Sequence, residues 1–219
     1  ISHIADRHNL RGPIIKMFST YNNGNILGIN LLLWGPLAAY GSLRAAAGYR
    51  SICILTLSRS VWVGLFALEF LGSFLDKSVA RAYRTLGGVA LLVGVVVVAS
   101  AAIGKDPASF LLDRNLGGRV SNLQSDLEVI STQRIGWDSE SLYAAALLAF
   151  GPIGAGLLTA AWVLPIVLGG TTDLQRTARL SLLVYMLIAV VEGAFTLVPT
   201  QAVYWIVAGI ALAPTFVAF

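Results

Sequence analysis

Apolar residues along this chain fall into blocks separated by short polar or basic segments. Four blocks are long enough to cross a hydrocarbon core of about 30 Å, which takes roughly 20 residues. They are 85–104 (TLGGVALLVGVVVVASAAIG), 141–169, 180–198 and 201–219. A fifth, 26–40 (ILGINLLLWGPLAAY), is shorter but also apolar. The stretch 43–75 is less simple, because Arg59 interrupts the run ICILTLSRSVWVGL at 52–65. It reads either as one helix with a cation near its centre or as two short helices meeting at Ser58-Arg59-Ser60.

Charge placement chooses between these. The short segments 42–50, 76–84 and 171–179 hold seven cations (Arg44, Arg50, Lys77, Arg81, Arg84, Arg176, Arg179) against two acids (Asp76, Asp173). Dense basic charge in short loops marks the cytoplasmic side of a membrane protein. The long segment 105–140 is mixed in sign and reads as external. With 42–50 and 76–84 on one side, the chain between them must cross and return. The expectation is two short helices, 43–57 and 60–75, with Arg59 at an outward turn. A single helix would leave Arg59 near the midplane, at a cost of several kcal/mol. The same parity puts residues 1–20 and Tyr21-Asn22-Asn23-Gly24-Asn25 outside. Within the external segment, Val120, Leu123, Leu127 and Ile130 are spaced three, four, three, one face of an amphipathic helix. Such a helix lies on the membrane surface or on the outer ends of the spans.

Composition agrees with a membrane location. The chain is 57% hydrophobic and 12% charged, where a soluble domain carries about a quarter charged residues. The expected fold is all-α: a polytopic transmembrane bundle of about seven helices, two of them short, forming one domain over 1–219 with the external loop 105–140. The single cysteine, Cys53, excludes an intrachain disulfide. With no CxxC or HExxH motif, and with His3 and His8 both near the start, no metal site and no cofactor are expected. The chain begins at Ile1 without methionine and ends inside an apolar run, so the C-terminal part of a longer protein is expected.

Three stretches, in this order, resemble the O-antigen polymerase and O-antigen ligase family of bacterial membrane glycosyltransferases. TYNNGNILGINLLLWGPLAA (20–39) looks like the family's asparagine-rich helix start, with Asn23-Gly24-Asn25 in place of Asn-Pro-Asn. LTLSRSVWVGLFAL (55–68) looks like its Ser-Arg turn and following short helix. DSESLYAAALLAFGPIG (138–154) resembles the segment that closes the large external loop. Ligases of the family carry His-Asn where Glu140-Ser141 stands here, and 105–140 contains no histidine, a pattern closer to a polymerase. The resemblance implies an enzyme of the bacterial plasma membrane whose site faces the periplasm or cell exterior. It would join glycans carried on a polyprenyl diphosphate. Its implied partners are the lipid-linked donor, a glycan acceptor, the bilayer and other polysaccharide-assembly proteins, with no nucleic acid.

That chemistry asks for charge stabilisation on a departing diphosphate and a base for the acceptor hydroxyl. Arginine supplies the first without a metal, because its planar fork bonds phosphate oxygens in pairs. The external candidates are Arg59, Arg119 and Arg134. Asp138 and Glu140 are the candidate bases, and Asn22, Asn25 and Tyr143 the candidate sugar-binding groups. Plainer roles stand beside each of these. Arg59 would anchor a helix end, Arg119 and Arg134 would be solvated charges, and Asp138 would cap a helix starting near Ser139. Asn22 and Asn25 would be turn residues, Tyr143 an interfacial aromatic, and Gly151 and Gly154 helix-packing positions. Glu69 and Glu192 are acids within apolar runs, with no role assigned. A ligase transferring finished glycan to a lipid or protein acceptor is the alternative within the family. A transporter subunit is the alternative outside it, and would show broken helices and polar groups near mid-membrane.

Overall fold

The computed structural model describes residues 10–11, 14–15, 24–56, 58–75, 79–102, 141–190 and 198–214. Seven helices account for nearly all of these: α1 (Gly24–Ala38), α2 (Leu43–Leu55), α3 (Arg59–Leu75), α4 (Val79–Ala102), α5 (Leu142–Leu168), α6 (Asp173–Ile188) and α7 (Val198–Leu212). A two-residue antiparallel pair, β1 (Leu10–Arg11) with β2 (Ile14–Ile15), precedes them. The expected all-helical class is therefore found. Among the described residues one helix, α5, is long and apolar enough to cross a membrane, and α1 and α7 contain shorter apolar helices. The amphipathic helix expected within 105–140 and the acid Glu192 lie outside the described residues.

Helices α1 and α6 form the centre. Ile29, Leu32 and Leu33 of α1 and Ala178, Leu182, Val184 and Tyr185 of α6 are fully enclosed. Around them α3 packs on both, α7 packs on both, α2 lies against α1 and α3, α4 against α3, and α5 against α6 and α7. The close approach of α1, α3 and α6 depends on missing side chains. A Cβ at Gly28 would collide with Val61, and one at Gly64 would collide with Leu32 and Ile188. Small residues at such crossings let helix backbones come near enough for dense van der Waals contact.

Polar bonds fix the register of this packing. Asn30, fully buried in α1, donates to the Ile26 carbonyl at 2.9 Å and to Thr200 Oγ1 of α7 at 3.1 Å. The Tyr204 hydroxyl of α7 donates to the Trp162 carbonyl of α5. The Gln175 amide reaches the Ala213 carbonyl at 2.5 Å, tying the start of α6 to the end of α7.

Two details depart from the sequence reading. Helix α6 begins at Asp173 rather than at 180, and α4 begins at Val79 rather than at 85. The basic segments read as loops are thus largely helix ends. In α6 the reason is local: Thr172 and Gln175 form a capping box, each side chain bonding the other's backbone N–H. Arg179 then bends back to donate to the carbonyls of Ile166 (2.7 Å) and Gly169 (3.2 Å), satisfying orphan groups at the end of α5. The second departure is Gly151. It stands at φ 67°, ψ −179° inside α5, and a Cβ there would touch nothing within 4 Å. It is a hinge, not a packing residue. Pro152 drives the preceding residue out of the α region, and only glycine takes a positive φ there without strain. A Cβ at Gly154 would meet Phe150 of the same helix at 2.6 Å, so that glycine accommodates the bend instead of a neighbouring helix.

Candidate functional site

The break between α2 and α3 is built from short polar side chains. The Thr56 hydroxyl turns back to the Cys53 carbonyl at 2.7 Å, ending α2. Ser58 and Ser60, both buried, bond each other through their hydroxyls at 3.0 Å. Serine and threonine compete in this way with the helical ladder. The indole N–H of Trp62 crosses the break and donates to the Ile54 carbonyl at 3.0 Å. The chain therefore doubles back, as expected, with α2 ending at Leu55 and α3 starting on Arg59.

Contacts across the bundle show which helix ends meet. Gly28 lies against Val61, and Gly64 against Leu32 and Ile188. Asn30 bonds Thr200, and the Leu142 N–H donates to the Ala189 carbonyl at 2.9 Å. The N-termini of α1, α3, α5 and α7 thus share one end of the bundle with the C-termini of α2 and α6. Arg59, Asn25 and Tyr143 all lie at this end, each partly buried. Tyr143 donates its hydroxyl to the Met186 carbonyl at 2.9 Å, which fixes its ring between α5 and α6. Asn22, Arg119, Arg134, Asp138 and Glu140 fall outside the described residues. The cap expected from Asp138 is made instead by Ser141, whose hydroxyl accepts from the Ala144 N–H.

The electrostatics of this end follow from the helix count. Each N-terminus carries about half a positive charge from its unsatisfied N–H groups. None of α1, α3, α5 and α7 has an acid in its first turn. Arg59 adds a full charge at the first position of α3. Four dipole ends and a guanidinium make an end suited to anions, the arrangement by which helix N-termini hold phosphates.

A second polar cluster went unrecognised in the sequence. At the opposite end, Arg50 of α2 pairs with Glu69 of α3: its Nη2 lies 2.5 Å and its Nε 2.7 Å from Oε1. The Tyr49 hydroxyl donates to the same oxygen at 3.4 Å. The group lines a cavity of about 360 Å³, with Tyr40, Asp173 and Arg176 also in its wall. Glu69 thereby gains the role that sequence left unassigned. The available signal was two opposite charges on helices joined by a short turn. The register was hidden, because Glu69 sits well over one helical turn beyond the position level with Arg50 in an even hairpin.

No protein-family model, no curated protein and no solved structure matches this chain, so its functional reading rests on the geometry of these two ends.

Proposed function

We propose that this protein is a polytopic membrane glycosyltransferase that polymerises polyprenyl-diphosphate-linked oligosaccharides at the outer face of a bacterial plasma membrane. The observation that carries the reading is the placement of Arg59. A cation at a helix N-terminus opposes the macrodipole, at about 0.3–1 kcal/mol, and here three further N-termini share its end. Such a gathering of helix N-termini around a guanidinium stabilises a diphosphate. The exposed apolar face of α5 supports the membrane location. Ile153, Leu157 and Val167 are 80%, 70% and 65% exposed, a surface that water disfavours and lipid covers.

In the proposed reaction the acceptor hydroxyl oxygen attacks the anomeric carbon of the donor sugar. The bond from that carbon to the diphosphate oxygen breaks, and its electron pair leaves with the diphosphate. Arg59 bonds the developing charge, with Arg119 and Arg134 as further clamps. Asp138 or Glu140, which directly precede the Ser141 cap in the sequence, takes the hydroxyl proton. A carboxylate beside guanidinium groups stays ionised and is a correspondingly weaker base. Asn22, Asn25 and Tyr143 are assigned to the sugar.

Purified lipid-linked donor provides the test, with polymer length and yield as the readout. Arg59→Lys keeps the charge and loses the fork, so polymer formation should fall while the protein still inserts. Normal polymer from Arg59→Ala would remove the diphosphate clamp. Asp138→Asn or Glu140→Gln should slow turnover without abolishing donor binding.

The transporter reading has one observation in its favour, the break in α5 at Gly151. Transporter breaks line the substrate cavity, but Gly151 faces open space beside the exposed Ile153. Flux of a labelled substrate into sealed vesicles without polymer formation would favour that reading.

A further inference from the structure

The cavity at the end opposite Arg59 has no part in the proposed polymerisation. Its volume, about 360 Å³, lies at the low end of small-molecule sites, which run from about 300 Å³ upward. That volume has room for a headgroup-sized molecule. Both charge signs line it: Arg50 and Glu69 in the wall, Arg176 and Asp173 at the rim. Arg50 turns its Nε and Nη2 to one oxygen of Glu69 and lies against Tyr49, so its guanidinium is held in the cavity wall. The rim pair is loose, with Arg176 Nη1 and Asp173 Oδ1 3.8 Å apart and the side chains 57% and 78% exposed. Such solvated pairs contribute little and yield readily to a better partner. Tyr40 and Leu75, 51% and 60% exposed, complete the rim with the amphipathic and apolar groups found where protein meets the lipid–water boundary.

We propose that this cavity binds a zwitterionic phosphodiester of the phosphoethanolamine type. Its phosphate bonds the guanidinium of Arg176, with the Arg50 guanidinium in the wall behind it, and its ammonium bonds Asp173. A purely anionic ligand would leave Asp173 facing a like charge, and a purely cationic one would oppose both arginines. The same chemistry is carried by a phospholipid headgroup and by a free phosphodiester. The site is independent of the glycosyltransferase reading.

The test uses the full chain in detergent micelles. Native mass spectrometry measures retention of a dioleoyl phosphoethanolamine lipid and of its phosphoglycerol counterpart. Titration calorimetry measures soluble glycerophosphoethanolamine. One phosphoethanolamine lipid should be held per chain, about tenfold more tightly than the phosphoglycerol lipid, the effect of one charge-assisted hydrogen bond. Arg176→Gln and Asp173→Asn alter exposed rim groups and leave folding intact, and each should weaken retention about tenfold. Equal affinity for the soluble diester would identify a free ligand with the same chemistry, and markedly weaker affinity a lipid. Equal retention of both lipids, or retention unchanged in both rim variants, would overturn the proposal.

Discussion

The two ends of the bundle handle cationic charge in opposite ways. At one end Arg50 is neutralised within the protein by Glu69, at 2.5 Å, with Tyr49 bonded to the same carboxylate oxygen. At the other, Arg59 stands on the first residue of α3 among four helix N-termini without a first-turn acid. Of the seven helices only α6, whose N-terminus lies at the Arg50 end, carries an acid in its first turn, Asp173. One end pairs its cation with an acid of the neighbouring helix, and the other sets its cation among helix N-termini. Balance suits a zwitterion, while a gathering of helix N-termini suits an anion.

The contrast is broken most severely at Arg59. Arg59→Ala should lower polymerisation by about 10²–10³-fold, the usual loss when one preorganised donor to developing charge is removed, with the thermal midpoint little changed. A turnover assay on lipid-linked donor checks this, and full activity in the variant would erase the distinction between the ends. Next in size, Gly64→Leu should separate α3 from α1 and α6, because Leu32 and Ile188 already occupy the space a Cβ would take. Overpacking of this kind costs about 1–3 kcal/mol, read as a lower thermal midpoint in detergent. An unchanged midpoint would mean that the three helices are not in close contact.

Arg50→Gln sharpens the comparison from the other side. A fully buried pair broken at one partner loses about 3–5 kcal/mol, but the Arg50 side chain is 39% exposed. We expect roughly 1–2 kcal/mol after that screening. Arg50→Gln with Glu69→Gln should recover part of the loss, because no lone carboxylate then remains. Turnover at the Arg59 end should be unaffected in the double variant. Parallel loss of turnover would show the two ends to be coupled. The smallest effect is expected from Asp173→Asn, about 0.3–1 kcal/mol from its favourable place at the start of α6. It should vanish at high salt, and thermal midpoints at low and high ionic strength test that.

Much of the secondary structure was legible in the sequence because it depends on local demands. Long apolar runs become helices even across Gly35-Pro36 and Gly151-Pro152, and the starts of α1, α2, α3 and α5 fall within two residues of expectation. The start of α6 was missed because a capping box lets a helix extend through polar residues that composition assigns to a loop. Gly151 and Gly154 were read as packing positions because sequence does not tell which face of a helix meets a neighbour.

The division has a physical basis. By itself the sequence determined that the chain is helical, from its long apolar runs, and that it doubles back near Arg59, from the basic charge of the segments on either side; the break itself falls just before Arg59. Only the tertiary structure decided that Glu69 meets Arg50, that Asn30 meets Thr200 across 170 positions, and that four N-termini gather at one end. Those facts depend on the rotation and depth of each helix against the others. Rotation and depth are set by the packing of side chains such as Val61 on Gly28, for which no short stretch of sequence carries the information.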